Sequence, residues 1–339
     1  MDYETTKSVY LWRGYASPPA EITIQIFLWI LAALTVLGNI LVLIVFVRDG
    51  HLRARISNLF ILNLALADLL VGCISIPFYN LYRETGLWRY GEGICKFWMV
   101  MDFSECYISV YAIVLISYDR YVLITKGMEY DKVQTFRKFV AFSSLTWAAN
   151  IVRYFVAFVM YDIFVETDVD YSNYCDSSVL YKSTFIIYDM ITSNLIPVAL
   201  IIFFNTKVYM DIKRRSRGMR RSQVAPEMST ATESVNQDDS GHSNISSNRR
   251  QGTTDIRKHR RAAVTLALIV GVSTICWIPY FTVIFLSVSF GVYTSARVQI
   301  IAAYIFYSNS AIDPLLYVAT NPRIRGGIAK LFGLRKRSP

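Results

Sequence analysis

The sequence predicts an all-α membrane protein: a seven-transmembrane helix bundle with a short amphipathic eighth helix. Three observations carry the prediction. Of the 339 residues 54% are hydrophobic and 18% charged, and a soluble domain of this size carries more charge. The apolar residues come in long blocks rather than at periods of 2 or 3.6, as a chain crossing a bilayer repeatedly requires. The basic residues behind the net charge of +10 are gathered in alternate joints between those blocks.

That placement sets topology before it suggests any partner. By the positive-inside rule the basic joints are cytoplasmic, so residues 1–21, with Asp2, Glu4, Lys7 and Arg13, form an extracellular N-terminus. No cleavable leader is visible there, and the first apolar block is expected to serve as its own signal. Seven blocks follow over 22–318. The first, 22–47, ends at Arg48, with Arg53 and Arg55 beyond it. The second, 57–82, carries Pro77. The third, 92–126, is followed by Lys132, Arg137 and Lys138, and the fourth, 137–160, by an acidic joint with Asp162, Glu166, Asp168, Asp170 and Asp176. The fifth, 181–213, holds Pro197 and runs into the basic stretch Lys213 to Arg221. The sixth, 257–287, overlaps the basic run Arg249 to Arg261 and holds Pro279; the seventh, 295–318, holds Pro314. Each exceeds the ~20 residues a helix needs to cross the hydrocarbon core. Membrane helices tolerate such prolines as kinks when neighbours re-satisfy the freed carbonyls.

Residues 214–256, rich in Ser, Thr, Asn, Gln and Arg, are expected to be a disordered third cytoplasmic loop. In the closing segment, 319–339, Ile324, Ile328, Leu331 and Phe332 fall at helical spacing among Arg323, Arg325 and Lys330. That is the pattern of a short helix lying on the inner membrane face. The basic inner surface suits contact with membrane lipid, whereas nucleic acid is not implied by charge that follows topology. Of five cysteines, Cys73, Cys106 and Cys276 fall inside spans and read as buried small hydrophobes. Cys95 opens the third span and Cys175 sits in the acidic outer joint. Both lie on the oxidising side, and a disulfide between them is the natural reading.

Charges and amides in hydrocarbon are costly, so each one inside a span is a functional candidate. They are Asn39, Asp68, Asp102, Glu105, Asp119, Arg120, Arg153, Asp189, Asn205, Asn309 and Asp313. On the third helix Asp102 and Arg120 are five turns apart, on one face and ~27 Å along the axis. Asp102 lies near the outer end, where a desolvated carboxylate binds a cationic ligand strongly; pairing with a neighbouring lysine or arginine is the alternative. Asp189 and Ser193, at i and i+4 on the fifth helix, share a face. Trp277, Tyr280 and Phe281 form an aromatic face around Pro279. Alone it reads as packing, but opposite a buried carboxylate it makes a cage for an ammonium group. On the seventh helix Tyr307, Ser310 and Asp313-Pro314 lead toward Tyr317.

The same residues carry a resemblance. Gly38-Asn39, Leu64-Ala65-Leu66-Ala67-Asp68, Asp119-Arg120-Tyr121, Trp147, Pro197, Cys276-Trp277-Ile278-Pro279 and Asp313-Pro314-Leu315-Leu316-Tyr317 stand in order along successive helices. Together they resemble the rhodopsin-like class of G-protein-coupled receptors, over nearly the whole chain. The stretch from Ser109 to Tyr121 resembles histamine receptors, the third and fourth subtypes above all. Trp277-Ile278-Pro279-Tyr280 and Phe204-Asn205 resemble those and the muscarinic receptors. The resemblance implies that Asp102 is an amine-binding aspartate, with Tyr307 hydrogen-bonded to it and Phe103, Cys106, Trp277, Tyr280 and Phe281 as walls. Asp189 and Ser193 would meet the ligand's far polar end, as in the second histamine subtype. Asp119, Arg120, Tyr121, Asp313, Pro314 and Tyr317 would serve activation and coupling to a heterotrimeric G protein.

Five positions depart from that pattern. Ser273 stands where relatives have a phenylalanine that shifts on activation, and His259 where many have a glutamate that locks the helix-three arginine. Tyr304 replaces a usual tryptophan, Glu105 adds an acid, and Arg153 is placed to neutralise Asp189 in the empty receptor. The reading is a plasma-membrane receptor for a small protonated amine, histamine-like by resemblance. No cofactor is required. A sodium ion in the bundle centre, held by Asp68, Ser109, Asn309 and Asp313 and approached by Glu105, would settle carboxylates that cannot all be ionised and unpaired there; their protonation is the alternative. A receptor of the same class for a peptide or lipid stays open if Asp102 is structural. An opsin needs a lysine in the seventh helix, and 295–318 has none. A secondary transporter would show related halves or broken helices, and neither is visible. Enzyme chemistry lacks a constellation, since His51, His242 and His259 all fall at cytoplasmic positions.

Overall fold

A computed structural model describes residues 18–165, 169–224, 268–287, 290–292 and 294–334. Among these the regular structure is helical throughout. Long helices run over Pro18–Arg48 (α1), 56–85 (α2), Gly91–Lys126 (α3), Phe136–Val165 (α4), 183–224 (α5), Leu268–Ser287 (α6) and Ala296–Thr320 (α7), followed by Pro322–Leu331 (α8). Six of them are long and apolar enough to cross a membrane by composition alone. The seventh, α7, dilutes its apolar surface with Asn309, Ser310 and Asp313, but its 25 residues rise ~37 Å, enough to span.

Helix α3 is the central post. It packs against α2, α4 and α5, while α1 closes onto α2 and α7. Inside the bundle lies 72% of the apolar window of α3, against 17% for α5, so α5 turns most of its surface outward. The outward residues are large and apolar: Leu34, Leu37, Leu145, Val152, Leu195, Ile202 and Leu315 are all exposed. On a soluble protein such a belt would aggregate, and here it is the face a bilayer covers.

The prolines explain the local departures from α geometry. Pro77 and Pro197 each lack an N–H and press on the carbonyl four residues earlier. In both helices the strain is relieved by a π-helical turn immediately upstream, Val71–Ser75 in α2 and Ile191–Leu195 in α5. A third π turn, Val156–Met160, interrupts α4 without a proline. In α7 Pro314 frees the carbonyl of Ser310, and Asn39 of α1 donates its Nδ2 to that oxygen at 3.1 Å. Gly38 makes this approach feasible, since a Cβ there would sit 3.0 Å from Pro314 Cγ. The Gly38-Asn39 pair is thus a repair of the α7 kink supplied by α1.

At the inner end Asn321 caps α8, accepting from the N–H of Arg323 at 3.1 Å and of Ile324 at 3.4 Å. Ile324 is buried, and Gly327 lets α8 lie on α1, where a Cβ would meet Val45 Cγ1 at 2.5 Å. At the outer end Cys95 and Cys175 are bridged with Cα atoms 5.4 Å apart, as the topology led one to expect. The bridge draws the loop between α4 and α5 over the bundle mouth, where the N–H of Cys175 donates to Tyr82 Oη at 3.3 Å. Lys96 joins Glu92 and Asp162 there, at 2.6 and 3.6 Å. Tyr171 donates to Asp162, and burial together with that carboxylate pushes its phenol up.

Two expectations need adjustment. Helix α5 continues to Val224, through the first residues of the segment 214–256 expected to be loop, because Lys, Arg, Met and Gln extend a helix readily once it leaves the bilayer. The remainder of that segment lies outside the described residues, as does His259. Cys73 is exposed on the outer face of α2 rather than buried, while Cys106 is half-buried and Cys276 buried as expected.

Candidate functional site

Asp102 of α3 stands at the floor of a cavity of about 180 Å³ that opens toward the outer end. Its carboxylate Oδ1 accepts a hydrogen bond from Tyr307 Oη of α7 at 2.9 Å. The walls are aromatic: Tyr79, Trp98, Phe103, Tyr107, Tyr280 and Phe306 all line the cavity, together with Cys106, and the disulfide-held loop forms the lid with Tyr174, Cys175, Asp176 and Leu180. A carboxylate walled by rings and oriented by a phenol and by the Ser75 hydroxyl is an arrangement that can hold an ammonium group, through an ion pair and the ring faces together.

Phe103, Cys106, Tyr280 and Tyr307, which the sequence grouped with Asp102, line the same cavity. The same grouping missed Tyr79, Trp98, Met99, Tyr107 and Phe306. Helical spacing could have found two of these, since Trp98 and Met99 lie one turn before Asp102 on the same face of α3. Tyr79 and Phe306 come from other helices, and only packing brings them in.

Asp189, Ser193 and Phe281 are not in this cavity. Asp189 and Phe281 line a second one, of about 120 Å³, together with Phe185, Ile186, Met190, Asn194 and Gln299. Phe103, Tyr107, Leu180 and Tyr280 border both cavities and form the partition between them. Ser193 is wholly buried behind Asp189, to which it donates at 3.1 Å, so the i, i+4 reading of this pair holds. Asp189 is also paired with Arg153 of α4, at 3.2 Å, as the position of that charge suggested. Trp277 lies elsewhere again. It is buried and lines a third cavity of about 530 Å³ between α5 and α6, bordered by the exposed apolar residues Ile187, Ile191 and Ile278. The helical turn from Trp277 to Tyr280 is enough to carry one ring out of the Asp102 cavity and leave the other in it.

Deeper in the bundle, Asp68, Ser109, Asn309 and Asp313 are buried together with Ser310 and Asn39. Ser109 Oγ donates to Asp68 Oδ1 at 3.1 Å. The carboxyl groups of Asp68 and Asp313 adjoin one another. Asp68 Oδ2, both carboxylate oxygens of Asp313, and Asn309 Oδ1 find no hydrogen-bond donor. Glu105 stands apart from this group, with Ser75 Oγ donating to its Oε2 at 3.1 Å. No three acidic, histidine or cysteine side chains converge as metal ligands among the described residues.

At the inner end Asp119 Oδ1 accepts from Tyr130 Oη at 2.6 Å, and Tyr130 Oη lies 2.9 Å from Ser57 Oγ. Tyr130 opens the helical turn Tyr130–Val133, the second after α3, so this contact clamps the connection to α4. Asn205 of α5 donates to Ser117 Oγ of α3 at 3.3 Å. Ser273 is buried in α6 and donates its hydroxyl back to the carbonyl of Ile269 at 2.8 Å, within its own helix.

Residues 38–317 match the family described as 7 transmembrane receptor (rhodopsin family). The chain belongs to that family. It is a receptor by descent, embedded in the membrane through its helices, and not an enzyme. The histamine H4 receptor of Homo sapiens is 28% identical to it over 375 residues, spanning 94% of this chain and 93% of that one. The histamine H4 receptor of Rattus norvegicus is 26% identical, with 94% of each chain covered. The alpha-1D adrenergic receptor of Sus scrofa is 27% identical across 91% of this chain, which spans 56% of that longer receptor.

Proposed function

We propose that the protein is a G-protein-coupled receptor for a small protonated amine, placed in the plasma membrane with its N-terminus outside. The observation that carries the proposal is the Asp102 carboxylate, held by Tyr307 at 2.9 Å in a cavity walled by aromatic rings. The relatives support it, since their names make them receptors for histamine and for adrenergic ligands. Histamine is the favoured agonist because the relative covered along most of both chains carries that name. Phe103, Cys106, Tyr280 and Tyr307 surround the ammonium, and the ligand's far end passes the Tyr107 partition toward Asp189, Ser193 and Phe281. Trp277 acts from beneath, through α6.

Agonist binding favours an outward swing of the inner end of α6, by holding one of two pre-existing states more tightly than the other. Asp119, Arg120 and Tyr121, with Asp313, Pro314 and Tyr317, then form the surface and hinge that receive the G protein. The test is nucleotide exchange on membranes, screened with histamine, acetylcholine, serotonin, dopamine, octopamine and tyramine. One of these should stimulate exchange in the wild type and fail in Asp102→Asn at equal surface expression. Full potency retained in Asp102→Asn would remove the amine from the proposal.

A further inference from the structure

We propose that Arg153 is a charge-class selector: it occupies the place of a ligand's second cation at Asp189, so the receptor takes amines with one positive charge and a neutral far end. The inference rests on the amine reading above. Asp189 is already saturated. Its Oδ1 accepts from Tyr154 Oη at 2.7 Å and Ser193 Oγ at 3.1 Å, and meets the Arg153 guanidinium at 3.2 Å. Its Oδ2 accepts from Tyr107 Oη at 3.2 Å.

Arg153 is fixed as firmly as its partner. Its Nη2 donates to Ser193 Oγ at 2.6 Å and to Tyr154 Oη, and its Nη1 donates to Thr192 Oγ1 at 2.8 Å. The guanidinium carbon lies 4.3 Å from the ring centre of Tyr154 and 5.5 Å from that of Tyr107. The two side chains are only 14% and 13% exposed, so little water screens the pair. The pair therefore shows the second cavity no net charge, although it contains a carboxylate.

A ligand carrying a second cation reaches an Asp189 whose charge is already answered by a guanidinium that the carboxylate and three hydroxyls hold in place, so it gains no free counter-ion. A ligand carrying a carboxylate at its far end meets Asp189 first and is repelled. A phenol or neutral ring instead meets Tyr107, Asn194 and the surrounding aromatic and aliphatic walls, where it needs no ion pair broken. The selection is by exclusion as much as by attraction. An arginine suits this role better than a lysine, since its planar fork reaches Thr192, Ser193 and Tyr154 at once.

Three probes on one scaffold test it: 4-(2-aminoethyl)phenol, 4-(2-aminoethyl)benzylamine and 4-(2-aminoethyl)benzoate, titrated by thermal shift on purified receptor. In the wild type the phenol binds tightest. In Arg153→Met the diamine gains roughly tenfold or more against the phenol, the order that exposing one desolvated charge gives. In Asp189→Asn the benzoate gains by a similar factor, because Arg153 is left to receive it. Either single change leaves a sheltered charge alone, so two further variants are measured beside them. Arg153→Lys should keep the sign of the wild-type preference, and Arg153→Met/Asp189→Asn, again without net charge at the site, should return the phenol to first place. An unchanged ratio of diamine to phenol affinity in Arg153→Met, or a charged probe favoured over the phenol in the double variant, with all binding still lost in Asp102→Asn, overturns the selector and leaves the amine reading standing. Binding that survives Asp102→Asn, or no binding of any probe to any of these proteins, overturns the amine reading and the selector with it.

Discussion

Asp102 and Glu105 are three residues apart on α3, and the structure gives them different company. Glu105 is wholly buried and receives one hydroxyl, from Ser75, with its Oε1 meeting no donor. Asp102 faces the cavity and is oriented by the phenol of Tyr307. Only the second can meet a ligand from outside, so residue type and depth in the helix do not decide the role; access does. The expected losses differ for the two partners of the hydrogen bond. Asp102→Ala removes the counter-ion and leaves the ligand's ammonium in a sheltered site, a loss of ~2–5 kcal/mol, or about thirty- to several-thousandfold in affinity. Tyr307→Phe removes a hydrogen bond to a charged group, ~1.5–3 kcal/mol, or roughly ten- to a hundredfold. Competition binding against a labelled agonist measures both. A Tyr307→Phe receptor with wild-type affinity would show that the Tyr307 phenol does not orient the carboxylate.

At the scale of elements, the bundle works because each device that bends a helix is answered by a neighbour. The freed carbonyl of Ser310 is the clearest instance, met by Asn39 Nδ2, which also donates to its own helix at Thr35 O at 2.9 Å. Asn39→Ala leaves that carbonyl unpartnered in hydrocarbon, a loss of ~1–3 kcal/mol. The expected result is a lower melting temperature for detergent-purified receptor at unchanged agonist affinity, since Asn39 touches neither cavity. A melting temperature equal to wild type would mean that the α7 kink needs no help from α1. Much of this level was legible in the sequence. Long apolar blocks announced the helices, and the two cysteines at the same end of the bundle gave the bridge. What was not legible depends on which face of a helix meets a neighbour. Cys73 and Trp277 show this: one is turned outward and the other away from the Asp102 cavity, though both lie on helices that the apolar blocks announced. The partition built from Phe103, Tyr107, Leu180 and Tyr280 draws on α3, the outer loop and α6 together, and no periodicity within one helix announces it. The end of α5 was missed for a different reason: charge and polarity mark the edge of the membrane, not the end of the helix.

At the scale of the whole molecule, the centre of the bundle carries more acceptor than donor. Asp68 Oδ2, both oxygens of Asp313, and Asn309 Oδ1 are buried without a hydrogen-bond donor, while Ser109 reaches Asp68 at 3.1 Å. Two adjoining carboxyl groups in a medium of low dielectric cannot both stay ionised and unpaired. They share protons, or they share a cation. The donor set is all oxygen, with two acids, an amide and a hydroxyl, which suits a hard ion such as sodium and offers no soft ligand for a transition metal. We therefore propose that Asp68, Ser109, Asn309 and Asp313 hold sodium in the resting receptor. These groups come from α2, α3 and α7, so an ion held among them would tie those three helices together in the resting arrangement. An ion that binds only the resting state stabilises it by mass action, and at ten times its dissociation constant the effect is about 1.4 kcal/mol. By linkage the same amount is lost from agonist binding, so agonist affinity should fall about tenfold when sodium replaces potassium at equal ionic strength. The melting temperature of the unliganded receptor should rise in the same exchange, a readout that needs no agonist. Asp68→Asn should abolish both effects. If melting is the same in the two salts, the carboxyl groups hold protons rather than sodium, and the helices are joined through a shared hydrogen bond alone.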